Sequence, residues 1–322
     1  MSDRAERASI PTVLLPRAPD PGPAAGRGRS AARVALGLAA SLRPRQWVKN
    51  VLVLAAPLAA GALGRAGPLD RSLETLGLFC LVAGGTYLWN DSLDVQADRL
   101  HPTKRHRPVA SGTVGIGTAR AAGSVALAVG IGLAWLVAGY PLALVVGIYV
   151  AVTLGYSTVL KGEAVLDLAA VAAGFVLRAI AGGVAAHVPL SDWFLIVASF
   201  GSLFMVAGKR HAEHEDLGED RGAHRATLQE YSLRYLAHVR SVSSAVTIAA
   251  YCLWAFERAH QVPSGALWFE LSIIPFVVAM LRYALLVDRG QGGAPEDVVL
   301  GDHRLQVLGA LWAAMFALGV YA

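Results

Sequence analysis

Apolar runs of roughly twenty residues recur along this chain, separated by short polar stretches, which is the rhythm of a polytopic membrane protein. Nine runs can be read, at roughly 46–64, 72–97, 118–138, 140–159, 165–184, 190–207, 236–257, 266–287 and 304–321. The first is the weakest, with Pro57 and several small residues inside it. Gly and Ala are frequent in the runs, which suits close helix packing in lipid. The expected fold is therefore an all-α polytopic membrane protein of nine transmembrane helices, occupying residues 41–322. Residues 1–40 are rich in Pro, Ala, Gly and Arg and lack apolar periodicity, so they read as a disordered basic tail. The stretch Val34–Leu42 is short for a signal-peptide core and no convincing cleavage site follows it.

Composition agrees with that pattern. Of 322 residues, 55% are hydrophobic and only 16% charged, and the mean hydropathy is +0.50. An ordinary soluble domain is excluded on those grounds. Cys80 and Cys252 both fall in apolar runs, as expected of two buried thiols rather than a disulfide or a metal site. The net charge of +5 is unevenly spread. Nine Lys or Arg lie between Arg4 and Lys49, and alternate loops hold Arg99, Lys104, Arg105, Arg107, Lys161, Lys209, Arg210, Arg221, Arg225, Arg234 and Arg289. The opposite loops hold little beyond Arg65, Arg71 and Arg258. By the positive-inside rule, the N-terminus and the basic loops face the cytoplasm. That surface meets anionic lipid headgroups and soluble phosphorylated substrates. No interleaving of basic and aromatic residues points to nucleic acid.

The densest chemistry lies in residues 90–108, where Asn90, Asp91, Asp94 and Asp98 leave an apolar run and Lys104, Arg105 and Arg107 follow. On a continuous helix Asn90, Asp94 and Asp98 share a face, with Asp91 one turn before Asp94. Carboxylates so close repel one another unless a cation lies between them. Magnesium takes oxygen ligands and keeps waters and substrate phosphates in its shell, and the following cations can hold the remaining phosphate charge. The pattern is that of a magnesium diphosphate site at a membrane surface.

Two more segments carry charge. The loop at 208–235 opens with Lys209, Arg210 and Glu213, of which Lys209 and Glu213 are one helical turn apart. His211 and His214 beside Glu213 and Glu215 resemble zinc-ligand spacing only superficially, since no third ligand cluster matches them. Tyr156, Ser157, Lys161 and Asp167 cluster near one helix–loop–helix turn. Arg178 lies deep in an apolar run and needs a counter-charge or a wet cavity. Asp167 and Arg178 are expected to line one cavity wall about three turns apart. Arg282 is expected to snorkel to the interface.

These residues resemble a known family. Asn90-Asp91-x-x-Asp94-x-x-x-Asp98, with Lys104 and Arg107-Pro108 behind it, is similar to the first aspartate motif of the UbiA superfamily of intramembrane prenyltransferases. The segments Leu42–Asn50, Asp98–Arg105 and Lys209–Glu213 resemble its decaprenyl-phosphate phosphoribosyltransferase branch. The resemblance implies a bundle around a central cavity, open to the cytoplasm and laterally to lipid. It implies transfer of 5-phosphoribose from phosphoribosyl diphosphate (PRPP) to a polyprenyl phosphate, with magnesium, in synthesis of cell-wall arabinan precursors at the plasma membrane. Asp91, Asp94 and Asp98 would be catalytic and, with Asn90, would hold the metal. Lys49, Lys104, Arg105, Arg107, Tyr156 and Lys161 would bind substrate, together with Asp167, Arg178, Lys209, Arg210 and Glu213. The chain departs from the superfamily in one place: where a second Asp-x-x-x-Asp motif is usual, it carries Lys209, Arg210 and Glu213. Extra cations there suit a donor with a second phosphate. A prenyltransferase with an aromatic acceptor predicts aspartates in that loop, and a transporter predicts charges in both halves of the membrane. Self-association into a homo-oligomer is left open.

Overall fold

A computed structural model describes residues 30–216, 227–292 and 295–321. Most of the basic tail, and Arg221 and Arg225 of the loop at 208–235, lie outside the described residues. Every regular element described is helical. A first short helix, α1 (Ala31–Ser41), leads into a 3-10 segment, Pro44–Leu54, and then α2 (Ala55–Ala59). The long α3 (Ala66–Leu93) is followed by α4 (Val95–Leu100), α5 (Ile116–Thr158), α6 (Leu166–Ala185) and α7 (Asp192–Asp216). After α8 (Thr227–Glu230) come α9 (Leu233–Gln261), α10 (Ala266–Leu286), α11 (Pro295–Gly301) and α12 (His303–Tyr321).

Six helices among the described residues are long and apolar enough to cross a membrane, counting α5, α6, α7, α9, α12 and the helical stretch containing α10. The helix α5 carries two of the expected spans. Its backbone leaves helical geometry at Ala138 and Gly139, where Gly139 has φ 70°. Pro141 then starts the second half, where its missing N–H costs nothing.

Three expectations need correction. Residues 31–40 form most of α1 rather than a disordered tail. Gly37 packs there against Val114 and Pro108, so the helix is held by tertiary contact. The expected span at 46–64 is not one helix: a 3-10 segment runs to Leu54, and Pro57 and the left-handed Gly61 lie in the short turns that follow. Its backbone instead packs tightly on α6, where a Cβ at Gly182 would lie 1.6 Å from the Val53 carbonyl oxygen. The span at 72–97 stops at Leu93, because Asp94 (φ −91°, ψ 8°) kinks the chain before α4.

The helices pack as antiparallel neighbours, α3 on α5, α7 on α9 and α10 on α12, with α6 joining α5 to α7. Phe79, Val82, Leu142, Val146 and Tyr149 fill one core. Tyr251, Trp254, Phe269 and Phe316 fill another. Large apolar side chains such as Leu136, Ile274 and Leu281 face outward, as lipid contact requires. Cys80 is buried and Cys252 half-buried, and both are free thiols. Arg282 does not simply snorkel: it pairs with Asp302 at 2.6 Å and ties α10 to the start of α12.

Candidate active site at the polar end of the bundle

The ends of α3, α5 and α7 meet at one end of the bundle, and two polar clusters form there. The first surrounds the kink at Asp94. Because the chain turns there, the four oxygen-bearing side chains do not share one face, contrary to the expectation from a continuous helix. Asn90 and Asp94 turn toward the end of α5: Ser157 donates to the Asn90 amide oxygen at 3.0 Å, and Lys161 pairs with Asp94 at 2.5 Å. Asp91 and Asp98 turn the other way and are buried. Arg107 Nη1 bridges them, 3.2 Å from Asp91 and 2.8 Å from Asp98. Arg43 also pairs with Asp91 and stacks over the Tyr87 ring at 4.8 Å.

Three carboxylates are thus matched by Arg43, Arg107 and Lys161. Burial of such charges is tolerable only with partners of opposite sign. Among the described residues no three His, Cys, Asp or Glu side chains already converge as a metal site. The donor chemistry nevertheless fits magnesium: an amide oxygen and three carboxylates are hard ligands, and this ion completes its shell with water and substrate phosphate. Arg107 Nη1, held between two carboxylates, shows that positive charge is stabilised at that point. Asp94 is the most open of the three, with a quarter of its side chain exposed.

The second cluster surrounds Asp167, which has no exposed surface. Arg210 Nε donates to it at 3.1 Å and the Tyr231 hydroxyl at 2.5 Å. Tyr231 in turn accepts from the Val165 N–H at 2.5 Å, and Val165 holds a positive φ of 69° that a β-branched residue rarely adopts. Burial first, and then the bond to Asp167, pushes the Tyr231 phenol up from its ordinary value. Arg210 also donates to Glu213 at 3.0 Å and to the Tyr156 hydroxyl at 3.4 Å. Tyr156 and Ser157, adjacent on α5, therefore connect the two clusters.

Several expected substrate ligands are thereby re-read. Arg210 is 2% exposed and all three of its nitrogens are engaged, so it braces the site rather than facing a phosphate. Asp167 is buried behind it. Arg178 does not share a cavity wall with Asp167. Its Nε donates to Asn50 at 2.8 Å, Nη1 to the Gly174 carbonyl at 2.8 Å and Nη2 to the Tyr149 hydroxyl at 2.7 Å. These neutral acceptors, with the Tyr149 ring 4.8 Å away, take the place of a counter-charge. Lys104, Lys161 and Lys209 remain partly exposed around the site, Arg105 is exposed, and Lys49 accompanies Gln46 at 2.6 Å on the 3-10 segment. Arg43 and Tyr231 are site residues that sequence reasoning did not single out, whereas Ser157 stood in the cluster read near the helix–loop–helix turn. Arg43 had a signal, standing in the Leu42–Asn50 segment before a proline; Tyr231, 64 residues from Asp167, had none.

Residues 50–307 match the UbiA prenyltransferase family. The chain is 46% identical over 292 residues to a decaprenyl-phosphate phosphoribosyltransferase of Corynebacterium glutamicum, covering 88% of this chain and 87% of that protein. It is 46% identical over 297 residues to one of Mycolicibacterium smegmatis, covering 88% and 92%. Among solved structures, a UbiA homolog from Archaeoglobus fulgidus bound to DMAPP and Mg2+ matches with a TM-score of 0.68 at 18% identity, over 89% of this chain and 97% of that one, which shows a shared fold. The chain belongs to the UbiA prenyltransferase family.

Proposed function

We propose that this protein transfers 5-phosphoribose from PRPP to a polyprenyl phosphate, decaprenyl phosphate in the branch it resembles, and releases diphosphate. The observation that carries this reading is the identity of 46% to two decaprenyl-phosphate phosphoribosyltransferases, each over 88% of the chain. Lys209, partly exposed beside the second cluster, supports it, since a donor with a 5-phosphate needs positive charge where a simple isoprenyl diphosphate does not.

Asn90, Asp91, Asp94 and Asp98 would hold magnesium, which when bound neutralises charge on the departing diphosphate. Lys161, paired with Asp94, and Lys104, which follows the carboxylates in the chain, bind diphosphate oxygens, and Arg107 fixes the carboxylates it bridges. Arg105 and Lys49 add positive charge at the rim. Lys209 faces the 5-phosphate, while Arg210, Glu213, Tyr156 and Asp167 hold the end of α7 in place. The acceptor phosphate is ionised at neutral pH, so it needs placement and no general base. The chain crosses the plasma membrane nine times in this reading, with α3 and the irregular 44–59 region joining the other spans. Its N-terminus and active site face the cytoplasm, and a lateral opening admits the lipid.

Purified protein in detergent, given labelled PRPP, a polyprenyl phosphate and magnesium, should form a phosphoribosyl lipid and one diphosphate per turnover. Transfer of a prenyl group to an aromatic acid, with PRPP unused, would overturn the proposal in favour of a conventional prenyltransferase.

A further inference from the structure

A cavity of about 320 Å³ lies between α1, α3 and α5, and its lining is wholly apolar. Leu38 and Leu42 close it from α1, Leu81 and Leu88 form its floor, and Val125 and Val129 form the far wall. Val125 is 62% exposed and Val129 46%, so the groove is open on the side where lipid lies.

One end of this groove is different from the other. One turn beyond Leu88, on the same face of α3, Ser92 accepts from Arg120 Nε at 3.2 Å. The Arg120 guanidinium is exposed and stacks 5.7 Å from the Trp89 ring. Leu42 packs against Gly84, midway along the groove. A hydrocarbon channel therefore ends at the Arg120 guanidinium, while its other end runs away toward the middle of α3 and α5.

That shape fits an amphiphile with a single hydrocarbon chain and an anionic end. We infer that the groove between α1, α3 and α5 seats the first isoprene units of the polyprenyl phosphate acceptor, with its phosphate drawn to Arg120. This rests on the reading of the chain as a phosphoribosyltransferase. Inside a bilayer the groove gains nothing from removing hydrocarbon from water, because lipid tails are equally apolar. It selects by shape and by the charge at its mouth. The mouth lies at Ser92, the residue after Asp91, so a chain lying in the groove carries its phosphate toward the end of α3 where the donor is bound. A bilayer phospholipid is the competing occupant, and its two chains match a single channel poorly.

The test fills the groove from its lipid side. Val125→Trp and Val129→Trp change exposed side chains and leave the packed core intact; Leu136→Trp, 79% exposed on α5 outside the groove, is the control. With PRPP as donor, KM is measured for a long polyprenyl phosphate and for a two-isoprene phosphate. The groove variants should raise KM for the long acceptor roughly three- to ten-fold, about what one interaction between helices is worth in lipid. The effect should shrink with the short acceptor, and the control should match the parent protein. An unchanged KM for the long acceptor would overturn the inference and assign the groove to bilayer lipid. A polyprenyl phosphate with a photoreactive group on its second isoprene gives an independent reading. It should label residues between 81 and 88 or 122 and 129, and phosphatidylglycerol vesicles should not compete. Labelling elsewhere, or displacement by those vesicles, overturns the inference. If the parent protein transfers no phosphoribose at all, the functional reading fails, and the labelling still decides what occupies the groove.

Discussion

The guanidinium of Arg210 and the carboxylate of Asp167 meet at 3.1 Å, and neither side chain reaches solvent appreciably. Removing one partner from such a pair strands a buried charge, which typically costs 3–5 kcal/mol. Asp167→Asn is therefore expected to lower stability by about that amount, read as a fall in melting temperature in detergent. Glu213→Gln, on the more open side of Arg210, should cost under about 1 kcal/mol. Equal melting temperatures for the two variants would refute the asymmetry.

Asp94 pairs with Lys161 where both side chains are partly exposed. Its pairing contributes little to stability, at most about 1 kcal/mol. Asp94→Ala should abolish transfer while the melting temperature stays near that of the parent. Asp91→Ala removes a carboxylate buried between Arg43 and Arg107, so it should lose both activity and stability. Full turnover by Asp94→Ala in excess EDTA would dismiss the metal assignment.

Lys209 keeps part of its side chain in solvent next to the braced Arg210. Loss of one charge-assisted contact to phosphate is expected to raise the KM for PRPP about ten-fold in Lys209→Ala. The KM for the lipid acceptor should not follow. A donor KM equal to that of the parent would remove Lys209 from the phosphate site.

Arg178 makes three hydrogen bonds within the bundle, to Asn50, Gly174 and Tyr149. Arg178→Lys retains the charge and loses the fork that reaches all three. Each buried partner left unmet costs about 1–3 kcal/mol, so thermal stability should drop and the fraction that remains folded should turn over normally. A stable variant with poor turnover would return Arg178 to the substrate site.

Asp302 accepts from Arg282 and from the Leu305 N–H at 2.8 Å at the start of α12. The bond from Arg282, then that from Leu305, holds its carboxyl below the ordinary value of 3.8. A depressed folded-state value means that the stabilisation is present above the ordinary value and is lost as pH falls through the folded one. The difference in melting temperature between the parent and Asp302→Asn should be constant near neutral pH and shrink below about pH 4. A difference independent of pH down to 3 would show that the charge on Asp302 is not what matters.

The chain by itself determined what composition and local order can fix. Long apolar runs admit only helices in lipid, because every backbone group must be paired within its own segment. The Asn90–Asp98 spacing, the cations behind it and the Lys209–Glu213 segment likewise stand in the sequence, since each lies within a few turns of helix. Tertiary structure decided the partners. The kink at Asp94 separates Asn90 and Asp94 from Asp91 and Asp98, and no single residue there announces it. Whether Arg178 meets a carboxylate or three neutral acceptors depends on the 3-10 segment carrying Asn50, which is 128 residues away. Arg43 and Tyr231 join their carboxylates across 48 and 64 residues. A charge in a sequence shows that a partner is needed; only the packing of distant helices selects which one it meets.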